Sequence, residues 1–525
     1  MSSAKPYMTT DDLIASIKRR ISFPLSQNTF QYSDIVAFLN EEMQLSAVPS
    51  VKMEHEEYFV YKHTVDLVNG ISRYEIPPRA IGMAVRDIKY SDSTGNFYDM
   101  SRIAPDDKAF FQQSNGSNQT ISKYYLEGNE IVLTPLVQGG ASGKLNFFIF
   151  LRPNNLVRND RAAIIQHFEK NIVVSNNGNV NPGDQITILT GQQSTAPLSY
   201  VFTAINSSAQ TLTSVSTSGV VQTVNNHDIP VDKTFQVTLS GVSTVIGEEN
   251  INGTYEATST GVNTFKINIA TIATPRTGGS YSITNQFVKG LTDNDTATNL
   301  KNTLNAASIP NVIATSSTNT VNITYYDISN AFEASDNSAF TIDNQNINIS
   351  FVDSDSQAFS GGLPSEYVDP ETMQTSALYE IGSNVDFLQT NPGHRTYVYD
   401  VPIVNINGSV ASFSVAKLKT YLNNSSGGTL AFYNIKVGDY ICLAHECIIP
   451  QIPPELHNAL AERAASRVLM AIGDVQGYQV SQAKLAEMNK YQETLIGSRV
   501  EGSVPKVFNR YSLLRLGKSR FRRRY

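Results

Sequence analysis

The chain has 525 residues, of which 41% are hydrophobic and 17% charged, with no tryptophan and a formal net charge of −7. That length exceeds one ordinary core and points to about three domains. The acidic balance excludes a generic nucleic-acid binder, whose footprint is a basic surplus, and two cysteines, Cys442 and Cys447, exclude a disulfide framework.

The opening Met1-Ser2-Ser3-Ala4-Lys5-Pro6-Tyr7 lacks the apolar stretch of a secretory leader. No run approaches the roughly 20 apolar residues that span a bilayer, so a soluble protein made in a cytoplasm is expected. Charge is unevenly spread. Residues 173–360 hold Lys233, Lys266, Arg276, Lys289 and Lys301 against fourteen Asp and Glu, whereas residues 499–525 hold nine Lys or Arg against Glu501 alone. Asymmetry of this kind marks an interaction tail.

In chain order, Thr9 and Asp12 form a capping-box start for a helix over 9–22, with Ile14, Ile17 and Ile21 on one face and Pro24 beyond its end. A second helix is expected over 33–47. Ser33 is its cap, Ile35, Leu39 and Met43 recur every four residues with Phe38 alongside, and Pro49 closes it. His63–Val68, the turn pair Asn69-Gly70 and Ile71–Ile76 read as a hairpin, stopped by Pro77 and Pro78. Tyr124–Leu126 and Glu130–Thr134 read as another. Leu145–Leu151 is a strand buried on both faces, and Arg161–Lys170 reads as a short helix.

From Val173 the composition turns to Ser, Thr, Asn and Gly. Val237–Ser240, Tyr255–Thr258 and Phe265–Ile269 alternate as half-exposed strands, Leu300–Ala306 reads as one helix, and strands follow at Val312–Thr315 and Val321–Tyr325. The charged style returns at Tyr379, with strands at Val385–Phe387, Tyr397–Pro402 and Tyr440–Ala444. The expected architecture is α+β. A base domain (1–172 and 379–525) has an antiparallel β region and a C-terminal helical hairpin, and an all-β sandwich-like domain is inserted over 173–378.

Pro453-Pro454-Glu455 starts a helix over 455–473, with Leu456, Leu460, Ala464, Val468 and Ile472 repeating every four residues and Gly473 or Gly477 ending it. A second helix over 479–500 carries the stripe Leu485, Met488, Tyr491 and Leu495. Several runs here carry a resemblance: Pro-Gln-Ile-Pro-Pro-Glu-Leu-His from Pro450, Leu-Ala-Glu-Arg-Ala-Ala from Leu460, Ala-Ile-Gly-Asp from Ala471, Ser-Arg-Val-Glu-Gly-Ser from Ser498 and Lys506–Arg510. Earlier come Tyr74-Glu75-Ile76-Pro77, Tyr125-Leu126-Glu127-Gly128 and Leu151-Arg152-Pro153. Together, over roughly 1–170 and 379–525, the sequence resembles the head-to-tail adaptor (connector, or neck-ring) proteins of tailed bacteriophages.

That resemblance implies a structural virion protein of the neck, assembled in the host cytoplasm. Its members form a ring, usually of twelve copies, beneath the portal protein, and DNA passes through the lumen without sequence-specific binding. Tail or nozzle proteins lie below. The large insertion departs from the shortest members of the family, so its role does not carry over; if it faces outward, support of tail fibres or decoration of the neck is expected of it. No membrane, cofactor or enzymatic role is implied. The C-terminal segment 504–525 is the expected portal-docking element, with Leu513, Leu514, Leu516, Lys518, Arg520, Phe521, Arg522, Arg523, Arg524 and Tyr525 as its contact residues. Arginine forks match carboxylates, and aromatic and Arg side chains are enriched at interface hot spots. A salt-dependent contact with DNA phosphate and a solvated chain end are the alternatives. Other tail parts (a baseplate, receptor-binding or fibre-anchoring protein) and a cell-wall hydrolase are the competing classes.

Chemistry-bearing residues are sparse. On a strand His445 and Cys447 share a face and Cys442 does not, two ligands short of a structural zinc site. Nothing fixes Glu446 and Glu455 at the separation that glycoside hydrolysis needs. Asp353 with Asp355, and Asp293 with Asp295, lack the spacing of a calcium-binding loop. No phosphate-binding Gly-rich loop or zinc-protease helix motif occurs, so no catalytic, metal or cofactor site is expected.

Overall fold

The computed structural model describes residues 7–21, 30–55, 57–92, 95–107, 123–134, 143–190, 198–206, 210–353 apart from 228, 230, 233, 329, 336 and 337, 367–390 apart from 370, 396–422 and 435–495. The chain is mixed α+β, with most strands in several antiparallel sheets, helices at the N-terminal end and a C-terminal helical hairpin.

Helix α1 (Thr10–Arg20) starts at the expected capping box, Thr9 and Asp12 each accepting from the other's backbone, with Lys18, Arg19 and Arg20 at its negative end. Helix α2 (Tyr32–Glu42) is capped by Gln31 and Asp34, not Ser33. Pro49 does not close it. A π-helical turn over Met43–Ala47, in which Val48 N–H reaches back five residues to Met43, leads straight into α3 (Val48–Glu54). Pro49 falls in that helix's first turn, where a missing N–H costs least. Helix α4 (Asp293–Ala306) extends the expected 300–306 helix by two turns, from a capping box of Thr292 and Asp295. Helices α5 (Val415–Leu422), α6 (His457–Ile472) and α7 (Val475–Leu495) complete the set among the described residues.

The hairpin expected over 63–76 is not formed. Its turn exists, with Gly70 at φ 82° and Ile71 N–H bonded to Val68. But Val60–Asp66 pairs with the apolar strand Gly143–Leu151, and Arg73–Glu75 pairs with Glu130–Thr134 in another sheet. The hairpin Lys123–Glu127/Glu130–Thr134 forms as read. Gly143–Leu151 lies between Val60–Asp66 and Ala80–Asp92, so both its edges are paired. On one face Leu145, Phe147 and Ile149 fill a core with Tyr74, Ile131 and Leu133, and on the other Asn146 and Phe150 are buried and Phe148 half-buried.

The helix expected over 161–170 is not formed: Arg161 ends a 3₁₀ turn and Ala163–Val174 is a strand. It joins a closed circuit of antiparallel pairings through Asn346–Asp353, Val410–Ser414, Thr396–Asn407, Asn384–Leu388 and Tyr440–Leu443, and back to Ala163–Val174. Closure makes this circuit a barrel with no edge of its own, while Thr320–Tyr325 and then Val312–Ser317 branch outward from Ala163–Val174. Phe351, Phe387 and Phe413 meet in its core, the last two with ring centroids 5.4 Å apart. The strand Asn346–Asp353 lies within 173–378, so this circuit draws on that segment as well as on 163–172 and 384–443. Residues 211–283 form a separate seven-stranded antiparallel unit around Val237, Phe265 and Tyr281.

Candidate functional site

The chain's two ends meet in one helical cluster. Helix α6 is its axis: Leu460, Ala461, Ala464, Ala465 and Val468 are buried against Leu13 and Ile17 of α1 and Ile35 and Leu39 of α2. The alanines keep that face low, so two helices approach it at once. The expected stripe on α6 is thus packed except for Ile472, which is 47% exposed. Gly473 at φ 85° caps α6, and Asp474 accepts from Gly477 N–H at 2.8 Å to begin α7 four residues earlier than expected. Open space surrounds the Gly473 Cα, so the penalty for a side chain there is one of backbone conformation alone. G473A is expected to lower stability by about 1 kcal/mol, read from the urea midpoint.

Polar contacts fix the hairpin. The Glu462 carboxylate, 4% exposed, takes hydrogen bonds from Arg20 (2.7 Å), Lys484 (2.9 Å) and Ser481 (2.8 Å). Burial pushes that carboxyl up, but the Lys484 and Ser481 bonds and the Arg20 charge hold it below the usual range. Arg467 pairs with Glu42 at 2.6 Å, and Arg463 bonds Asn489 at 2.7 Å and Ser46. These side chains border a groove of about 400 Å³ between α6 and α7. On α7, Leu485 and Ser481 are buried and Met488 half-buried, but Tyr491 is exposed, so the expected stripe only partly faces α6. Around the hairpin turn, Met470, Val475 and Val480 are 59%, 64% and 69% exposed.

Two further contacts hold the start of α1, one to the segment before α6 and one to α6 itself. Thr10 N–H donates to Ile448 O at 2.8 Å, and Met8 N–H donates to His457 Nδ1 at 3.1 Å, while the other ring nitrogen of His457 lies 3.3 Å from Ile452 O. Burial pushes the His457 pKa down to about 4. Arg79, between the first two sheets, reaches across to the barrel. Its guanidinium bonds Asp386 (2.9 Å), Asp400 (2.5 and 2.6 Å) and Asn154 (2.7 Å), with Asp386 1% exposed. Neither Arg79 nor His457 was singled out from sequence. The available signal was Asp386, a lone charge inside the apolar strand run Val385–Phe387.

The other nominated residues have structural occupations. Cys442 and Cys447 are each 1% exposed; burial pushes the Cys442 thiol up, and Cys447 donates to Ile449 O at 2.9 Å. His445 occupies a turn at φ 70°, off the expected strand face. Glu446 pairs with Arg161 at 2.8 Å, and Glu455 is exposed in the 3₁₀ turn Pro454–Leu456. Asp293 accepts from Asn177 N–H and Asp295 caps α4. Among the described residues no group of three or more His, Cys, Asp and Glu could hold a metal ion, and no helix is long and apolar enough to cross a membrane. Asp355, the side chains of Asp353 and Leu495, and the whole docking segment 504–525 with Leu513 to Tyr525 lie outside the described residues.

No family model matches the sequence, and no curated protein matches it.

Proposed function

We propose that the chain is the subunit of a ring that joins the portal vertex of a phage capsid to its tail, with DNA passing through the lumen. The observation that supports this reading is the α6–α7 hairpin. One helix is locked into the fold on several sides, while its last turn and the outer helix hold Met470, Val475, Val480 and Tyr491 out to solvent on a rigid support. Exposed apolar side chains on a stiff element suit a repeated contact with another copy, and a heterologous contact that closes makes a ring. The segment 504–525 docks on the portal in this reading, the insertion faces outward toward fibres, and the chemistry is mechanical.

Native mass spectrometry of the chain with the portal protein of the same virion tests it. A ring of about twelve copies is the expected species; a trimer would redirect the reading to a fibre, spike or baseplate part. Deleting Lys518–Tyr525 is expected to abolish assembly with the portal.

A further inference from the structure

A cavity of about 360 Å³ opens between the first four-stranded sheet, the 74–79 segment and the barrel. Tyr61 and His63 reach it from alternate positions of the strand Val60–Asp66, and Tyr74 and Glu75 from the opposite wall. Tyr399 and Asp400 enter it from the barrel. Neighbouring strand residues normally point to opposite faces, but Asp400 has φ 56°, and that left-handed turn of the backbone lets both side chains face one cavity. A second cavity of about 170 Å³ continues from it, sharing Tyr61, Leu151 and Tyr399.

The walls are aromatic and the charge is negative. In the lining, Arg79 lies over the Tyr399 ring and is paired with Asp400, Glu75 adds an exposed carboxylate, and burial holds His63 down despite the Asp400 charge. Aromatic faces and surplus carboxylates together select a cationic side chain. In this sequence one segment has the matching character: Lys518, Arg520, Arg522, Arg523 and Arg524, interleaved with Phe521 and Tyr525. Thirty residues follow Leu495. Extended at roughly 3.3 Å per residue they reach about 100 Å, several times the ~24 Å radius of gyration expected of a chain this long, so distance does not forbid the contact.

We propose that this tyrosine- and carboxylate-walled cavity is a seat for the arginine-rich segment Lys518–Tyr525, one cationic side chain entering beside Tyr61 and Tyr74, next to Glu75. The seat deepens the ring reading by giving the portal-docking segment a place to rest before it meets its partner, so an acidic portal surface and the cavity compete for it. The contact itself is tested without the portal, so its failure and that of the ring reading are distinguishable.

The experiment uses the full-length chain with photoreactive benzoylphenylalanine in place of Phe521, irradiated at low salt, with adducts mapped by peptide mass spectrometry. Adducts on Val60–Asp66, on 74–79 or on Tyr399 are expected, with a yield that drops several-fold at 1 M salt and several-fold in E75Q. Glu75 is exposed and D400N disturbs the Arg79 pairing, so E75Q is the decisive variant, with thermal unfolding recorded alongside to confirm that it folds. Adducts confined to other surfaces, no adducts, or an unchanged yield in E75Q would overturn the proposal.

Discussion

Replacing Arg79 with methionine is expected to destabilise the chain by roughly 3–5 kcal/mol, the range for removing one partner of a buried ion pair. The guanidinium is 6% exposed and joins segments far apart in sequence: the entry to Ala80–Asp92, Asn154 beyond Gly143–Leu151, and the barrel strands that carry Asp386 and Asp400. Methionine fills the stem's volume but leaves Asp386 without its counter-charge. That carboxylate would still accept from Asn154 Nδ2 (2.6 Å), Asp400 N–H (2.9 Å) and His445 N–H (3.2 Å). Burial already pushes its pKa up against the Arg79 charge, so in R79M it rises further and the carboxyl takes a proton at a higher pH than in the parent. The penalty is therefore largest at neutral pH and shrinks as pH falls, and R79M/D386N is milder than R79M at pH 7. Urea unfolding followed by circular dichroism (the chain has no tryptophan) measures both. A cost under about 1 kcal/mol at pH 7 would mean that the network does not join the sheets.

Much of the architecture was legible because local chemistry and tertiary packing agreed. Thr9 and Asp12 cap α1 as read, Gly473 takes the left-handed conformation that ends α6, and the alternation through Val321–Tyr325 is a strand. The misreadings have physical causes. In Ala163–Val174 the buried residues are Ala163, Ile165, Phe168, Lys170, Ile172 and Val174, and a bulge between Ile165 and His167 shifts the alternation by one. The resulting spacing of three between Ile165 and Phe168 imitates a helical face. Lys170 is buried in the strand and donates to Asn346 O and Asp343 O. The hairpin over 63–76 failed because a turn signal fixes the chain reversal, not the partner, and the strand Gly143–Leu151 offered more apolar surface. The closed circuit of barrel strands joins residues up to about 280 positions apart, such as Ala163 and Ile441, and no local pattern encodes such pairings. The same limit applies to Arg79, whose partners are set by topology.

Acidification from pH 7 to pH 4.5 is expected to cost the chain roughly 2–3 kcal/mol through His457 alone. The ring is 1% exposed, and its Nδ1 accepts from Met8 N–H, which requires the tautomer with the proton on Nε2, facing Ile452 O. Protonation would place an N–H at Nδ1 against the Met8 N–H and bury a charge, and burial accordingly lowers the pKa from 6.5 to about 4. The sign follows from proton counts. Between those values the unfolded chain binds the proton and the folded chain does not, so stability is intact above pH 6.5 and is lost as pH falls toward 4. The carboxylate of Glu455 is the nearby charge that opposes this shift, and it is exposed. H457N keeps an acceptor near the Met8 N–H without a titrating group. Its stability at pH 7 minus that at pH 4.5 is expected to be smaller than the parent's by roughly 2–3 kcal/mol. An equal pH dependence in parent and variant would show that His457 is protonated in the folded chain. Because Met8 precedes α1 and His457 begins α6, the first contact weakened by acid is the one that ties the N-terminal helix to the axis of the cluster. Amide protection at Met8 and Thr9, referred to the slower intrinsic exchange in acid, should therefore fall before protection in the barrel strands does, the reverse of what a general loss of carboxylate pairing would produce.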